Sequence, residues 1–113
     1  MSHANSAHPP TASQCHREAL QLLDQGLVQD AVLHLRRAVL LDPSCAPAWN
    51  DLGVILEALG NRRDAVECYR RAIRAQPGMK EPRRNLLALA AQAAVCAGLP
   101  SPVRGRSALA AAR

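Results

Sequence analysis

Residues 46–77 read APAWNDLGVILEALGNRRDAVECYRRAIRAQP, and this stretch decides the fold. Pro47 suits the first turn of a helix, where its missing N–H leaves no bond unmade. Trp49, Leu52, Val54, Ile55 and Leu56 then follow close to helical spacing. Gly60 stops that helix, and Asn61 is a residue type that caps the next. Ala65, Val66, Tyr69, Ala72 and Ile73 make the apolar stripe of a second helix, which Pro77 ends.

The same plan recurs 34 residues upstream. Residues 12–45 laid over 46–79 give ten identities: Ala12/Ala46, Leu22/Leu56, Gly26/Gly60, Asp30/Asp64, Ala31/Ala65, Val32/Val66, Arg36/Arg70, Arg37/Arg71, Ala38/Ala72 and Pro43/Pro77. Ordinary residue usage would give roughly two or three. In the first copy Thr11 and Gln14 have the spacing of a capping box. Gly26 divides the helices, Ala31, Val32, Leu35, Ala38 and Val39 form the stripe, and Pro43 closes it. A third unit opens at Lys80, where Pro82 can start a helix that runs to about Cys96. Gly98 and Pro100 end it, and no second helix follows. The expectation is an all-α chain of about five helices, near 12–25, 28–41, 46–59, 62–75 and 82–97. Residues 12–45 and 46–79 are two repeats and 80–97 a terminal helix. Residues 1–10 are expected to be a disordered tail and 98–113 a flexible basic one.

Composition agrees with a small helical core. Of 113 residues 49% are apolar, yet there is no Phe, one Trp and one Tyr, which leaves Leu, Val, Ile and Ala to fill the interior. The net charge of +5 is uneven. Residues 1–60 hold three arginines against six acids, and residues 61–84 hold eight basic side chains against three acids. A basic stripe with interleaved aromatics would suit nucleic acid. Arg62, Arg63, Arg70, Arg71 and Arg74 have only Tyr69 near them, and the stripe assigns Tyr69 to the core, so a solvated helix face is the better reading. Cys15, Cys45, Cys68 and Cys96 have no pairing or metal-ligand spacing, which points to free thiols in a reducing compartment. Residues 1–10 contain no apolar run, and 86–100 are too short to span a bilayer. These features point to the cytoplasm.

In the second copy, Trp49, Leu52, Gly53, Leu56, Ala65, Tyr69, Ala72 and Pro77 stand at the spacings of a family signature, Trp-x-x-Leu-Gly-x-x-Tyr, then Ala-x-x-x-Phe, then Pro. The chain therefore resembles the tetratricopeptide repeat family. In the first copy the match is looser, through Ala19, Leu22, Ala31, Leu35, Ala38 and Pro43, with Cys15 at the bulky position and Glu18 where Leu is usual. The resemblance implies a short right-handed α-solenoid of stacked antiparallel helix pairs. It also implies a structural core of the eight second-copy residues just named, in which small side chains admit close approach and Trp49 and Tyr69 fill the wider gaps.

The resemblance further implies protein binding rather than catalysis, on an inner surface lined by the first helix of each pair. In this register the candidate groove is His16, Arg17 and Leu20, then Asn50, Asp51, Val54 and Glu57, then Arg84 and Asn85, suited to a peptide or helix of a partner. Members that grip a chaperone's C-terminal carboxylate use a clamp of Lys, Asn and Lys/Arg. Here His16, Leu20 and Asp51 stand at three clamp positions, and an acid there repels a carboxylate. No catalytic, cofactor-binding or metal set appears: Cys15 and His16 are neighbours on a helix and do not face one another, and no cofactor is implied. The helix from Leu86 to Ala97 has Gln92 as its only polar side chain. Leu89 and Val95 are its candidate interface residues, for self-association or assembly into a larger complex.

Overall fold

The computed structural model describes residues 8–98. They form five α-helices and, among the described residues, no strand: α1 (Ala12–Asp24), α2 (Val28–Leu41), α3 (Ala46–Ala58), α4 (Arg62–Ala75) and α5 (Lys80–Cys96). The expected tails over 1–10 and 98–113 lie, apart from residues 8–10 and Gly98, outside the described residues.

The helix ends follow from local chemistry. Thr11 and Gln14 close a full capping box: the Gln14 N–H donates to Thr11 Oγ1 at 3.1 Å, and the Thr11 N–H donates to Gln14 Oε1 at 2.8 Å. Gly26 (φ +80°) and Gly60 (φ +87°) take the left-handed conformation that other residues avoid. At each, the next residue's N–H reaches back into the helix, Leu27 to Leu22 O and Asn61 to Leu56 O, so both hairpins turn through the same motif. Pro43 and Pro77 occupy the second position of matching turns, closed by Cys45 N–H to Asp42 O and Met79 N–H to Gln76 O. One expectation changes. Asn61 makes no side-chain cap to the backbone; its amide donates to Asp64 Oδ2 at 2.9 Å. In the third unit Ala94 stands where the glycine of the first two stood. Nothing stops the helix there, and α5 runs to 17 residues against 13 for α3.

Helices α1 and α2 pack as one hairpin, α3 and α4 as the next, and α5 docks on α4 with a smaller contact to α3. The result is stacked pairs forming a short solenoid. Tyr69, Leu35, Leu52, Pro82 and Cys15 are the largest fully buried side chains. Gly53 is needed for Tyr69: a Cβ there would stand 2.6 Å from the ring's Cε1. In the first copy Ala19 and Leu35 hold the same two places, so the smaller ring-free side chain leaves room for a methyl. Of the expected core, Leu52, Gly53, Leu56, Ala65, Tyr69 and Ala72 are buried. Trp49 is only half-buried, because it roofs the joint between pairs, and Pro77 is exposed, because its work is in a surface turn.

The three first helices differ in which sides they bury. α3 lies between α2 and α4 and buries Ala48, Leu52 and Ile55. The corresponding residues of α1 are Gln14, Glu18 and Gln21, all exposed. In α5 the counterparts Pro82 and Leu89 are buried, while Leu87 and Ala90 stand open.

Candidate functional site

The first helices carry one residue set three times. His16, Asn50 and Arg84 share a register position, as do Arg17, Asp51 and Asn85, and Leu20, Val54 and Ala88. The structure links the first two sets crosswise. His16 Nε2–H donates to Asp51 Oδ2 at 2.6 Å, joining α1 to α3. Asn85 Nδ2 donates to Asn50 Oδ1 at 3.0 Å, joining α3 to α5. Each bond runs from one residue to the one 35 further on, so two chemically different pairs serve as successive rungs. The third rung is open: Arg84 is exposed and has no carboxylate partner among the described residues.

Beside the rungs runs an exposed row, Leu20 (40% exposed), Val54 (44%) and Ala88. Arg17 is exposed on α1, and Asp51, Asn85 and His16 are half-buried. Glu57 is half-buried and accepts from the Tyr69 hydroxyl at 2.7 Å, which ties this surface to the core. Asn50 departs from expectation. It is 6% exposed, its amide enclosed between α3 and α5, so it holds the helices together rather than facing a ligand. Leu89 departs as well. Its register partner is Ile55, it points into the stack at 2% exposure, and it is not part of an outer interface. Val95 is 63% exposed, beside Leu87 and Ala91 on the free side of α5.

The rungs themselves were not read from the sequence, which treated His16 and Asp51 as separate lining residues. The available signal was complementary chemistry at a spacing of one repeat plus one residue. On the opposite side, Trp49 Nε1–H donates to Pro43 O at 2.8 Å, and the Arg71 guanidinium lies 5.1 Å from the centre of its ring.

Two titratable groups in the core, Cys68 and Tyr69, are held in their neutral forms. Burial pushes the Cys68 thiol up to about 11, and burial together with the Glu57 hydrogen bond raises the Tyr69 hydroxyl. A thiol so shielded is a poor nucleophile. All four cysteines are unpaired, Cys15 and Cys68 buried. Among the described residues no group of three His, Cys, Asp or Glu side chains converges as a metal site, and no helix is long and apolar enough to cross a membrane.

The family model for the tetratricopeptide repeat matches residues 16–80, more than half of the chain. No curated protein matches. Among solved structures, a crystal structure of MamA is similar, with TM-score 0.66 and 23% identity, over 70% of this chain and 46% of that one. This chain thus spans about half the length of MamA's, and an identity this low shows a shared fold.

Proposed function

This chain belongs to the tetratricopeptide repeat family, and from that premise we propose that it is a non-catalytic protein-binding module, a small adaptor acting in the cytoplasm. Its repeats mediate protein–protein interaction, as repeats of this family generally do. The partner segment, an extended peptide or a helix, lies along Leu20, Val54 and Ala88, with Arg17, Asp51 and Arg84 beside it. One observation carries this reading: the same register position is apolar and exposed on three successive first helices, where a position serving only solvation has no reason to stay apolar. The rungs support it by holding those helices at set spacings, which lowers the ordering cost of binding. Buried unpaired thiols at Cys15 and Cys68 support a reducing compartment.

Selection of a displayed peptide library on the full chain tests the proposal. Selected peptides should lose about tenfold or more in affinity on Val54→Asp and keep it on Leu40→Asp, a change at an exposed site on α2. Equal loss from both variants, or from neither, would move the site elsewhere.

A second reading, assembly through the free side of α5, is favoured by the exposure of Leu87 (47%) and Val95 (63%) on that one helix. Light scattering across concentration, with and without Leu87→Lys and Val95→Lys, checks it. A wild type that stays monomeric at high concentration rules out self-association.

A further inference from the structure

Among the described residues α5 is a first helix with no second helix beside it, and the seat for one is built. Arg36, Leu52 and Leu56 border α4 where it crosses α2 and α3. Their counterparts one repeat later, Arg70, Leu86 and Ala90, line an open crevice of about 750 Å³ between α4 and α5. Its floor is apolar, made by Val66, Leu86, Leu89, Ala90 and Ala93, and its rim carries Arg62, Arg63 and Arg70. None of these three arginines has an ion-pair partner among the described residues. The two acids of the rim are engaged: Glu67 by Arg71 at 3.1 Å and Arg74 at 3.6 Å, Asp64 by the Asn61 amide.

Charge and shape select the occupant. Residues 99–113 carry Arg104, Arg106 and Arg113 with no acid, so they bring charge of the same sign to the rim. The α1 end of a second copy offers Gln14, Glu18 and Gln21, with no apolar stripe for the floor. A helix from another protein, apolar on one side and acidic on its flank, meets both demands. The repeat register adds a size rule. Tyr69 lies on Gly53 and Leu35 takes the same place beside Ala19. The matching residue of α5 is Leu87, which is not on the crevice floor but stands half-exposed on the adjoining free side of the helix, so a helix seated in the manner of α2 and α4 requires a small residue opposite it.

We propose that the crevice between α4 and α5 binds an acid-flanked amphipathic α-helix of a partner protein, which takes the place of the missing second helix of the third unit. This site is separate from the row of Leu20, Val54 and Ala88 and stands independently of the reading given to that row.

The test is fluorescence anisotropy on the full chain with a designed probe: a stapled helical peptide of 14 residues, the length of α4, with α4's apolar stripe, Ala in place of Tyr69, and Glu at the flanking positions. It should bind about tenfold or more tighter than the same peptide with Lys flanks, and weaken as salt rises. Arg63→Glu with Arg70→Glu, both at exposed sites, should invert that preference with helicity unchanged by circular dichroism. Restoring Tyr in the probe should weaken it, and Val54→Asp should leave binding intact. The proposal is overturned by equal binding of the Glu and Lys probes, by loss on Val54→Asp, or by displacement with a synthetic peptide of residues 99–113. It is overturned equally by a concentration-dependent dimer that the double charge reversal dissolves, since a second copy is then the occupant.

Discussion

The ring of Tyr69 lies against the backbone of Gly53 so closely that a single methyl group at residue 53 would overlap it, at 2.6 Å from Cε1 and 2.8 Å from Cδ1. The ring cannot swing aside, because it is fully buried and its hydroxyl is bound to Glu57. Gly53→Ala is therefore expected to cost about 1–3 kcal/mol by overpacking, despite the helix propensity it gains. Adding Tyr69→Leu recreates the Ala19/Leu35 combination of the first copy. A double-mutant cycle by denaturant melts should show the second change recovering part of the first, and purely additive losses would contradict the contact.

Trp49 and Tyr69 should differ in weight. Tyr69→Ala empties a fully buried site and should cost about 3–5 kcal/mol. Trp49 is half-buried, held by Pro43 O and roofed by Arg71, so Trp49→Ala should cost less, about 1–3 kcal/mol. Thermal melts of the two variants side by side check the order.

Asn85→Ala should loosen α5 selectively. It leaves the Oδ1 of buried Asn50 without its donor, a loss of about 1–3 kcal/mol. Because α5 is held only along one side, the loss should appear in hydrogen exchange as faster opening of 80–96 while α1 and α2 stay protected.

Stability should fall in mild alkali through Cys68. Its thiol moves from an ordinary 9.0 to about 11 in the folded chain, chiefly by burial. Below pH 9 the thiol is protonated folded or unfolded, and its contribution is fully present. Between 9 and 11 the unfolded chain ionises and the folded one does not, so up to about 3 kcal/mol is lost across that window. Cys68→Ala should flatten the drop in Tm from pH 8 to 10.5, with the slope from Tyr69 remaining. An identical drop in the variant would exclude Cys68 as the cause.

Helix ends were legible in the sequence because they depend on neighbours along the chain. Gly26 and Gly60 must turn, Pro43 and Pro77 must interrupt, and the 34-residue repeat made each signal appear twice. What lay beyond reading were facts about the angle between units. That Asn50 meets Asn85, and is thereby buried, depends on how far α5 is rotated against α3. With Gln92 its only polar side chain, Leu86–Ala97 does not declare in its sequence which of its sides is inward, and the sequence alone therefore puts Leu89 outside. Its register with Ile55 contains the answer, since both must fill the joint with the preceding pair.

The unlike sides of α1 and α5 give the molecule a direction of growth. A copy of 46–79 inserted after Met79 would bring Ala48, Leu52 and Ile55 to α4, reproducing the joint that α3 already makes with α2, and its own second helix would present α5 with the surface it now rests on. The same copy placed ahead of Thr11 would have to bury Gln14, Glu18 and Gln21 without partners. Length is thus an adjustable property of this scaffold on one side alone. A ladder of such insertions should gain melting temperature with each added unit, as expected of a structure whose stability is summed from neighbour to neighbour.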